Sequence, residues 1–273
     1  MFAEVIKIPT PGTPLHGLFY PAEGAKPRGA ALLMHGNGMN FYYGAPGFLP
    51  EHLTGMGLSA LAYNRHGHDT LSAGTRVAEG NAFQTAAESI DDNERAAAWL
   101  AERGHAAPVV IGHSNGGMLA AEHVANHPET PALVLLSAHL GGKEMLRRGS
   151  ALGLLGQDRL EELSAQAHAL VEAGRPDELM MLPGWYYVIT AGSFVDQENN
   201  LPVLLDNAQR INCPVLYLRG DQEDDQMYPA ERFAELAGGP VDVRVLPDCD
   251  HFYTGHETAV GELVAEWLDR VLG

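Results

Sequence analysis

A serine at position 114 stands among glycines in Val109-Val110-Ile111-Gly112-His113-Ser114-Asn115-Gly116-Gly117-Met118. A β-branched run ends at Gly112 and an alanine-rich, helix-forming stretch, 118–127, begins within a few residues, so Ser114 falls on a strand-to-helix bend. A residue pushed out at such a bend needs backbone angles that a β-carbon resists, and large neighbours would strike the adjoining strand and helix. Gly112 and Gly116 remove those collisions. The exposed hydroxyl is a candidate nucleophile, and the backbone N–H of Asn115, at a helix N-terminus, is placed to hold a developing oxyanion.

A serine hydroxyl attacks well only when a base takes its proton, and an imidazole in that role needs a carboxylate to fix its tautomer and stabilise its charged form. Thirteen histidines compete. Position selects His251: Asp248-Cys249-Asp250-His251-Phe252 follows the last expected strand, 241–246, and a loop there reaches the same sheet edge as Ser114. His256 lies close to the terminal helix and is expected to cap or solvate it. For the acid, the loop from Leu218 to Pro229 offers four carboxylates, Asp221, Glu223, Asp224 and Asp225, and the residues alone leave the choice open. His66-Gly67-His68-Asp69 has the composition of metal ligands, but no carboxylate-histidine set accompanies it elsewhere, and no metal is expected there. A phosphate-cradling loop with its lysine is missing as well, so no cofactor is implied.

The elements that carry these turns are legible in the hydrophobic pattern. Residues 3–8 and 15–20 read as strands joined by a Pro-Thr-Pro-Gly turn, an opening hairpin. Strands are expected at 30–34, 58–63, 108–111 and 132–136, with helices over 41–56, 81–103 and 118–127. In the helix over 81–103, Ile90, Ala97 and Leu100 are available for one buried face. This alternation points to a parallel sheet covered on both sides. After Ser137 the rhythm breaks: 158–171 is helical, with Leu160, Leu163, Ala167, Leu170 and Val171 in one apolar stripe and Gly174 as its stop. An aromatic run, Trp185-Tyr186-Tyr187, follows. Alternation resumes with a strand at 214–218, a helix at 229–236, the strand at 241–246 and a helix over 258–272. The expected organisation is a core of residues 1–137 and 208–273 with a mainly helical cap, 138–207, inserted over the sheet's C-terminal edge.

With 273 residues the chain has length for one α/β core with an insertion. Its formal charge is −18, from 17 Lys and Arg against 35 Asp and Glu, which disfavours nucleic acid and anionic membranes as partners. Cys213 and Cys249 are the only cysteines and fit no metal or redox spacing. The first residues lack a basic stretch followed by an apolar run, and no run of about 18 apolar residues occurs, so a cytoplasmic protein without a membrane span is expected.

In these features the chain resembles the α/β-hydrolases. The resemblance covers nearly everything outside 138–207 and rests on His35-Gly36-Asn37-Gly38 after the third strand, Gly112-His113-Ser114-Asn115-Gly116-Gly117 after the fifth, the acidic loop, and Asp250-His251 after the last, in the order nucleophile, acid, histidine. It implies a mostly parallel eight-stranded sheet. It also implies that the acid stands three residues after the glycine closing its strand, which from Gly220 is Glu223. Counting back from Pro229 points instead to Asp225; we take the strand end as the firmer landmark, with Asp225 and Asp221 as rivals. His35-Gly36-Asn37-Gly38 is similar to the family's oxyanion loop, making the Asn37 main-chain N–H the partner of Asn115, and Arg65-x-Gly67 is similar to its ordinary loop after strand four. The expected function is a cofactor-independent serine hydrolase acting on carboxylic esters through an acyl-enzyme, with Tyr42, Trp185 and Tyr186 lining a pocket for a small-molecule substrate. The rival readings are the same triad acting on a lactone, an amide or a carbon–carbon bond, and a small-molecule receptor built on the same fold.

Overall fold

The turn composition at 9–12 folds as an antiparallel hairpin: β1 (Glu4–Ile8) pairs with β2 (Leu15–Tyr20) from Glu4 opposite Phe19 to Ile8 opposite Leu15. The computed structural model describes residues 1–24, 27–71, 76–185 and 187–273. From β3 (Gly29–Met34) the chain alternates through α1 (Ala45–Gly55), β4 (Leu58–Tyr63), α2 (Ala86–Ala101), β5 (Val109–His113), α3 (Asn115–Asn126) and β6 (Leu133–Leu136). Three of these helices start where local chemistry dictates rather than where periodicity suggests. α1 begins only after Gly44 at φ 66°, with proline in its first turn. α2 begins at a capping box in which Thr85 and Glu88 each bond the other's backbone N–H. α3 begins directly after Ser114.

Beyond β6 come α4 (Gly142–Ala151), α5 (Leu160–Glu172), β7 (Leu179–Leu182), β8 (Tyr187–Thr190), α6 (Ala191–Asn200) and α7 (Leu204–Ala208). The chain then closes through β9 (Val215–Gly220), α8 (Ala230–Leu236), β10 (Val241–Leu246) and α9 (Glu257–Leu272). The main sheet has eight strands in the order β1-β2-β4-β3-β5-β6-β9-β10, and every pair from β4 to β10 is parallel. Strand alternation divides the core in two. Leu32, Met34, Val110, Leu133, Leu135 and Tyr217 face α2, α3, α7 and α8, while Leu33, Ile111, Val134, Leu136, Leu216 and Leu218 face α1 and α9. The order in which strands are added reverses at β3, with β4 on one side of it and β5 on the other, and an open parallel sheet gathers ligand-binding loops at such a switch point.

α2 shows why an apolar count alone misjudges a face. Leu100 is buried with Ala96 and Trp99 while Ile90 and Ala97 are only partly so, and two polar residues, Asp92 and Asn93, are buried beside them. Asn93 accepts from the Tyr63 hydroxyl at 2.5 Å. Asp92 accepts from the backbone N–H and Nδ1–H of His66, both at 2.7 Å, and His66 Nε2–H donates to the Thr13 carbonyl at 2.8 Å. Both ring nitrogens therefore donate, which requires the imidazolium. The hydrogen bond to Asp92, opposed by partial burial and helped by the carboxylate's charge, raises the His66 pKa to about 9. A group raised on folding stabilises fully below its unfolded value, about 6.5, and that contribution disappears as pH rises to about 9. Urea midpoints measured across this window are expected to fall more steeply for the wild type than for His66→Gln; parallel profiles would refute the assignment.

Residues 138–207 include more than the helix at 158–171. α4 and α6 are additional helices, and Leu179–Leu182 pairs antiparallel with Tyr187–Thr190 as a separate two-stranded sheet. Leu163, Ala167, Met180, Leu182, Ile189 and Phe194 make a small core of their own. Leu140, Met145, Leu146 and Leu155 join Met227 and Tyr228, which follow β9. α7 packs into the main core through Leu204 and Ala208. Among the described residues, no helix is long and apolar enough to cross a membrane.

Candidate active site

Parallel strands deliver their C-terminal loops to one edge, and β5, β6, β9 and β10 lie side by side. Ser114 follows β5, Ser137 follows β6, Glu223 lies three residues beyond β9, and His251 lies five beyond β10.

Ser114 sits at φ 58°, ψ −120°, outside the ordinary regions for a residue with a side chain and worth about 1–3 kcal/mol of strain. Packing holds it there. A β-carbon on Gly112 would lie 2.2 Å from the Gly116 carbonyl oxygen, and one on Gly116 the same distance from the Met34 oxygen. The Ser114 backbone N–H donates to the Leu136 carbonyl at 2.9 Å. Two glycines thus let strand, bend and helix close on one another.

His251 Nε2 is 3.0 Å from Ser114 Oγ, and His251 Nδ1 is 2.7 Å from Glu223 Oε1. A carboxylate only accepts, so Nδ1 carries the proton and Nε2 offers its lone pair to the hydroxyl. Glu223 is held on its other oxygen: Oε2 accepts from Ser137 Oγ at 2.6 Å and from the Gly220 backbone N–H at 2.7 Å. Ser137 Oγ is in turn 2.8 Å from the buried Tyr253 hydroxyl. The other carboxylates of this loop are engaged elsewhere or exposed. Asp224 forms a two-toothed pair with Arg148 of α4, at 2.8 and 2.5 Å, Asp221 accepts from the Cys249 backbone N–H, and Asp225 is exposed. Only Glu223 among these four is drawn to His251 by a hydrogen bond.

The ring of His251 is enclosed by His113, Tyr228 and Phe252, with centroids 5.0–5.1 Å away. His113, between Gly112 and Ser114, is wholly buried and donates Nε2–H to the His251 carbonyl at 2.9 Å, pinning that loop. Burial, and then the charge that His251 can carry, push the His113 pKa down to about 3; the same two causes push His139 down to about 4. Both neighbours stay neutral and add no repulsion when His251 takes a proton.

The loop at His35-Gly36-Asn37-Gly38 lies against the serine. A β-carbon on Gly36 would stand 3.2 Å from Ser114 Cβ, and one on Gly38 would need φ 61°. Arg65, fully buried, ties the base of this loop to α3 by donating Nη2–H to the His35 carbonyl at 2.8 Å and to Asn115 Oδ1 at 3.3 Å. His35 accepts the Arg65 backbone N–H at Nε2. Asn115 is the first residue of α3, where a backbone N–H has no carbonyl one turn behind it.

The expected pocket aromatics sit differently from one another. Tyr42 is 65% exposed and packs edge-on to Phe41; Trp185 is 49% exposed. Tyr186 lies outside the described residues. The neighbour Tyr187 reaches inward: its hydroxyl oxygen accepts from Asn37 Nδ2 at 3.0 Å, from Asn81 Nδ2 at 2.5 Å and from Gln197 Nε2 at 3.4 Å. A residue of the 138–207 segment thereby touches the loop beside Ser114. Period-two reading of 187–190 would have marked Tyr187 as facing inward. Ser137 and His113 had only a positional signal, the end of a strand at the serine's edge. His66 and His68, the residues of metal-like composition, take Asp92 and Asp69 as partners.

A model of the alpha/beta hydrolase family matches residues 31–266. No curated protein sequence matches the chain. Solved structures with the same architecture include Est1E from Butyrivibrio proteoclasticus with ferulic acid bound, at TM-score 0.72 and 20% identity, covering 98% of this chain and 99% of that one. A carboxyl esterase from Bacillus coagulans in complex with glycerol aligns over 100% of both chains at TM-score 0.73 and 14% identity. A monoacylglycerol lipase from Paleococcus ferrophilus aligns over 94% of this chain and 99% of its own at TM-score 0.66 and 19% identity. At these identities the likeness is one of fold.

Proposed function

The chain belongs to the alpha/beta hydrolase family, and from that membership we propose that it is a serine hydrolase of carboxylic esters that works without a cofactor. The observation that carries the reading is the unbroken line of hydrogen bonds from Ser114 Oγ through His251 to Glu223. In this mechanism Ser114 attacks the ester carbonyl as His251 Nε2 accepts its proton, and Glu223 stabilises the imidazolium through Nδ1–H. The carbonyl oxygen becomes an oxyanion between the main-chain N–H groups of Asn37 and Asn115. His251 returns its proton to the departing alkoxide, leaving Ser114 acylated. Water then gives a proton to His251 as its oxygen attacks the acyl carbon, and the acid leaves with Ser114 regenerated.

Residues 138–207 act in this reading as a cap. Its ties to the core at Arg148–Asp224 and Tyr187–Asn37 support that role. Tyr42 of the core and Trp185 and Tyr186 of the cap are the proposed substrate-side aromatics, suited to an apolar acyl or alcohol group.

The testing experiment is labelling of folded protein with a fluorophosphonate, which reacts only with an activated serine, followed by a panel of esters, lactones and amides. Stoichiometric labelling at Ser114 and turnover concentrated on esters are expected. Failure to label would overturn the hydrolase reading in favour of a receptor, and turnover confined to lactones or amides would move the bond that is cut.

A further inference from the structure

We propose that Glu94, His123 and His127 form a binding site for a divalent transition-metal ion of the zinc type at the end of α3 opposite Ser114. The inference stands apart from the hydrolase reading and uses none of its residues. Ser114 precedes the first turn of α3; His123 lies nine residues on, roughly 13 Å along the axis. His123 lies in the last turn of α3 and His127 follows it as the cap, their rings stack, and α2 brings Glu94 against both.

The contacts gather ligand atoms of the three side chains around one point. His123 Nδ1 is 2.6 Å from Glu94 Oε1, and His127 Nε2 is 2.9 Å from Glu94 Oε2. His127 also sets Nδ1 3.1 Å from Glu129 Oε1. A neutral imidazole carries a single N–H. His127 can therefore give Nε2 to an ion while Nδ1–H stays bonded to Glu129. The two rings stack, with centroids 4.1 Å apart and planes 25° from parallel, so their inner nitrogens face the same carboxylate.

A metal ion can be held by all three groups at once. His123 Nδ1 and His127 Nε2 give it their lone pairs, Glu94 gives a carboxylate oxygen, and His127 Nδ1–H donates to Glu129. That last contact is the outer carboxylate that commonly orients a ligating histidine. The three ligand atoms already lie within 4.8 Å of one another. Ligands about 2.0 Å from a tetrahedral ion stand about 3.3 Å apart, so small rotations suffice. Two imidazoles and one carboxylate select zinc-like ions over magnesium or calcium, which prefer all-oxygen shells. The C-terminal end of α3 adds the negative pole of its dipole. Beside the cluster, a cavity of about 190 Å³ between the alanines of α2 and the loop leading to β5 leaves room for a water on the fourth position.

The test titrates the full chain with Zn²⁺ by calorimetry and with Co²⁺ by its visible ligand-field absorption. Saturable binding of one ion per chain is expected, with the Co²⁺ spectrum of a tetrahedral site. Glu94→Gln and His127→Gln, at partly exposed positions that leave folding intact by circular dichroism, should each abolish that binding. Glu129→Gln should weaken it roughly tenfold. Ester hydrolysis should be the same in all three variants. No saturable uptake by the wild type, or uptake equally strong in Glu94→Gln and His127→Gln, would overturn the proposal.

Discussion

Replacing Ser114 by alanine is expected to lower kcat/KM for an ester substrate by on the order of 10⁴ to 10⁶, leaving the fold in place. The size follows from what is lost. Without Oγ there is no covalent path, and His251 Nε2 has no hydroxyl 3.0 Å away from which to take a proton. What persists is binding and the main-chain donors of Asn37 and Asn115, worth a small residue of acceleration. The fold survives because alanine carries the same β-carbon at φ 58° that serine already tolerates, and the backbone N–H still reaches Leu136. Thermal melts of the two proteins should coincide within a few degrees, and steady-state kinetics should separate them. Ester turnover retained in the alanine variant would reject the mechanism outright.

Changing Glu223 to glutamine should cost roughly 10⁴ in kcat, and the physical reason is a conflict of donors. Glu223 accepts three hydrogen bonds, from His251 Nδ1, Ser137 Oγ and the Gly220 N–H. An amide has one oxygen and one NH₂. If its oxygen faces His251, the NH₂ confronts the Gly220 N–H. If the NH₂ faces His251, the imidazole must turn its lone pair to Glu223's place and its proton toward Ser114, which is the wrong tautomer for a base. Asp221→Asn and Asp225→Asn touch no atom of His251 by hydrogen bond and should leave kcat nearly unchanged. Kinetic collapse in either aspartate variant, with Glu223→Gln active, would move the acid to that residue.

Fold class was legible because it is written in repeating local terms. Runs rich in Leu and Ala at 30–34, 58–63 and 132–136 alternate with helix-spaced segments, and such runs bury only in a parallel sheet covered on both faces. Strands β2, β4 and β10 have the expected spans, since sharp turns bound them. Helix starts shifted by several residues wherever a cap outweighed periodicity, as at Gly44 and Thr85. The segment 138–207 was read least well: α4 has few apolar residues in sequence, and β7 and β8 are four residues each, too short to announce themselves.

At the site, the candidate nucleophile and base could be named from their places after β5 and β10. The carboxylate was harder to single out, because two landmarks in the loop 220–229 disagree by two residues; the strand-end count favours Glu223, whose Oε1 is 2.7 Å from His251 Nδ1. Asp224 accounts for the extra length: Arg148 holds it, and it caps the turn into Met227. Tyr187 stood in the aromatic run without a role of its own, and Ser137 and His113 had only their places at strand ends. The cluster of Glu94, His123 and His127 was equally hidden, since its members come from two helices and resemble ordinary solvated residues when read in line.

Sequence alone determined the alternation of strand and helix, the glycines that permit an exposed serine, and the order in which chemistry-bearing loops follow one another, since each depends on backbone sterics and burial within a short window. Tertiary structure alone decided which of four carboxylates meets an imidazole 28 residues away, which tyrosine touches the loop beside Ser114, and which histidines share a carboxylate across two helices. Hydrogen bonds act over about 3 Å, and the chain brings such atoms that close only after sheet register and side-chain packing have set every loop's place.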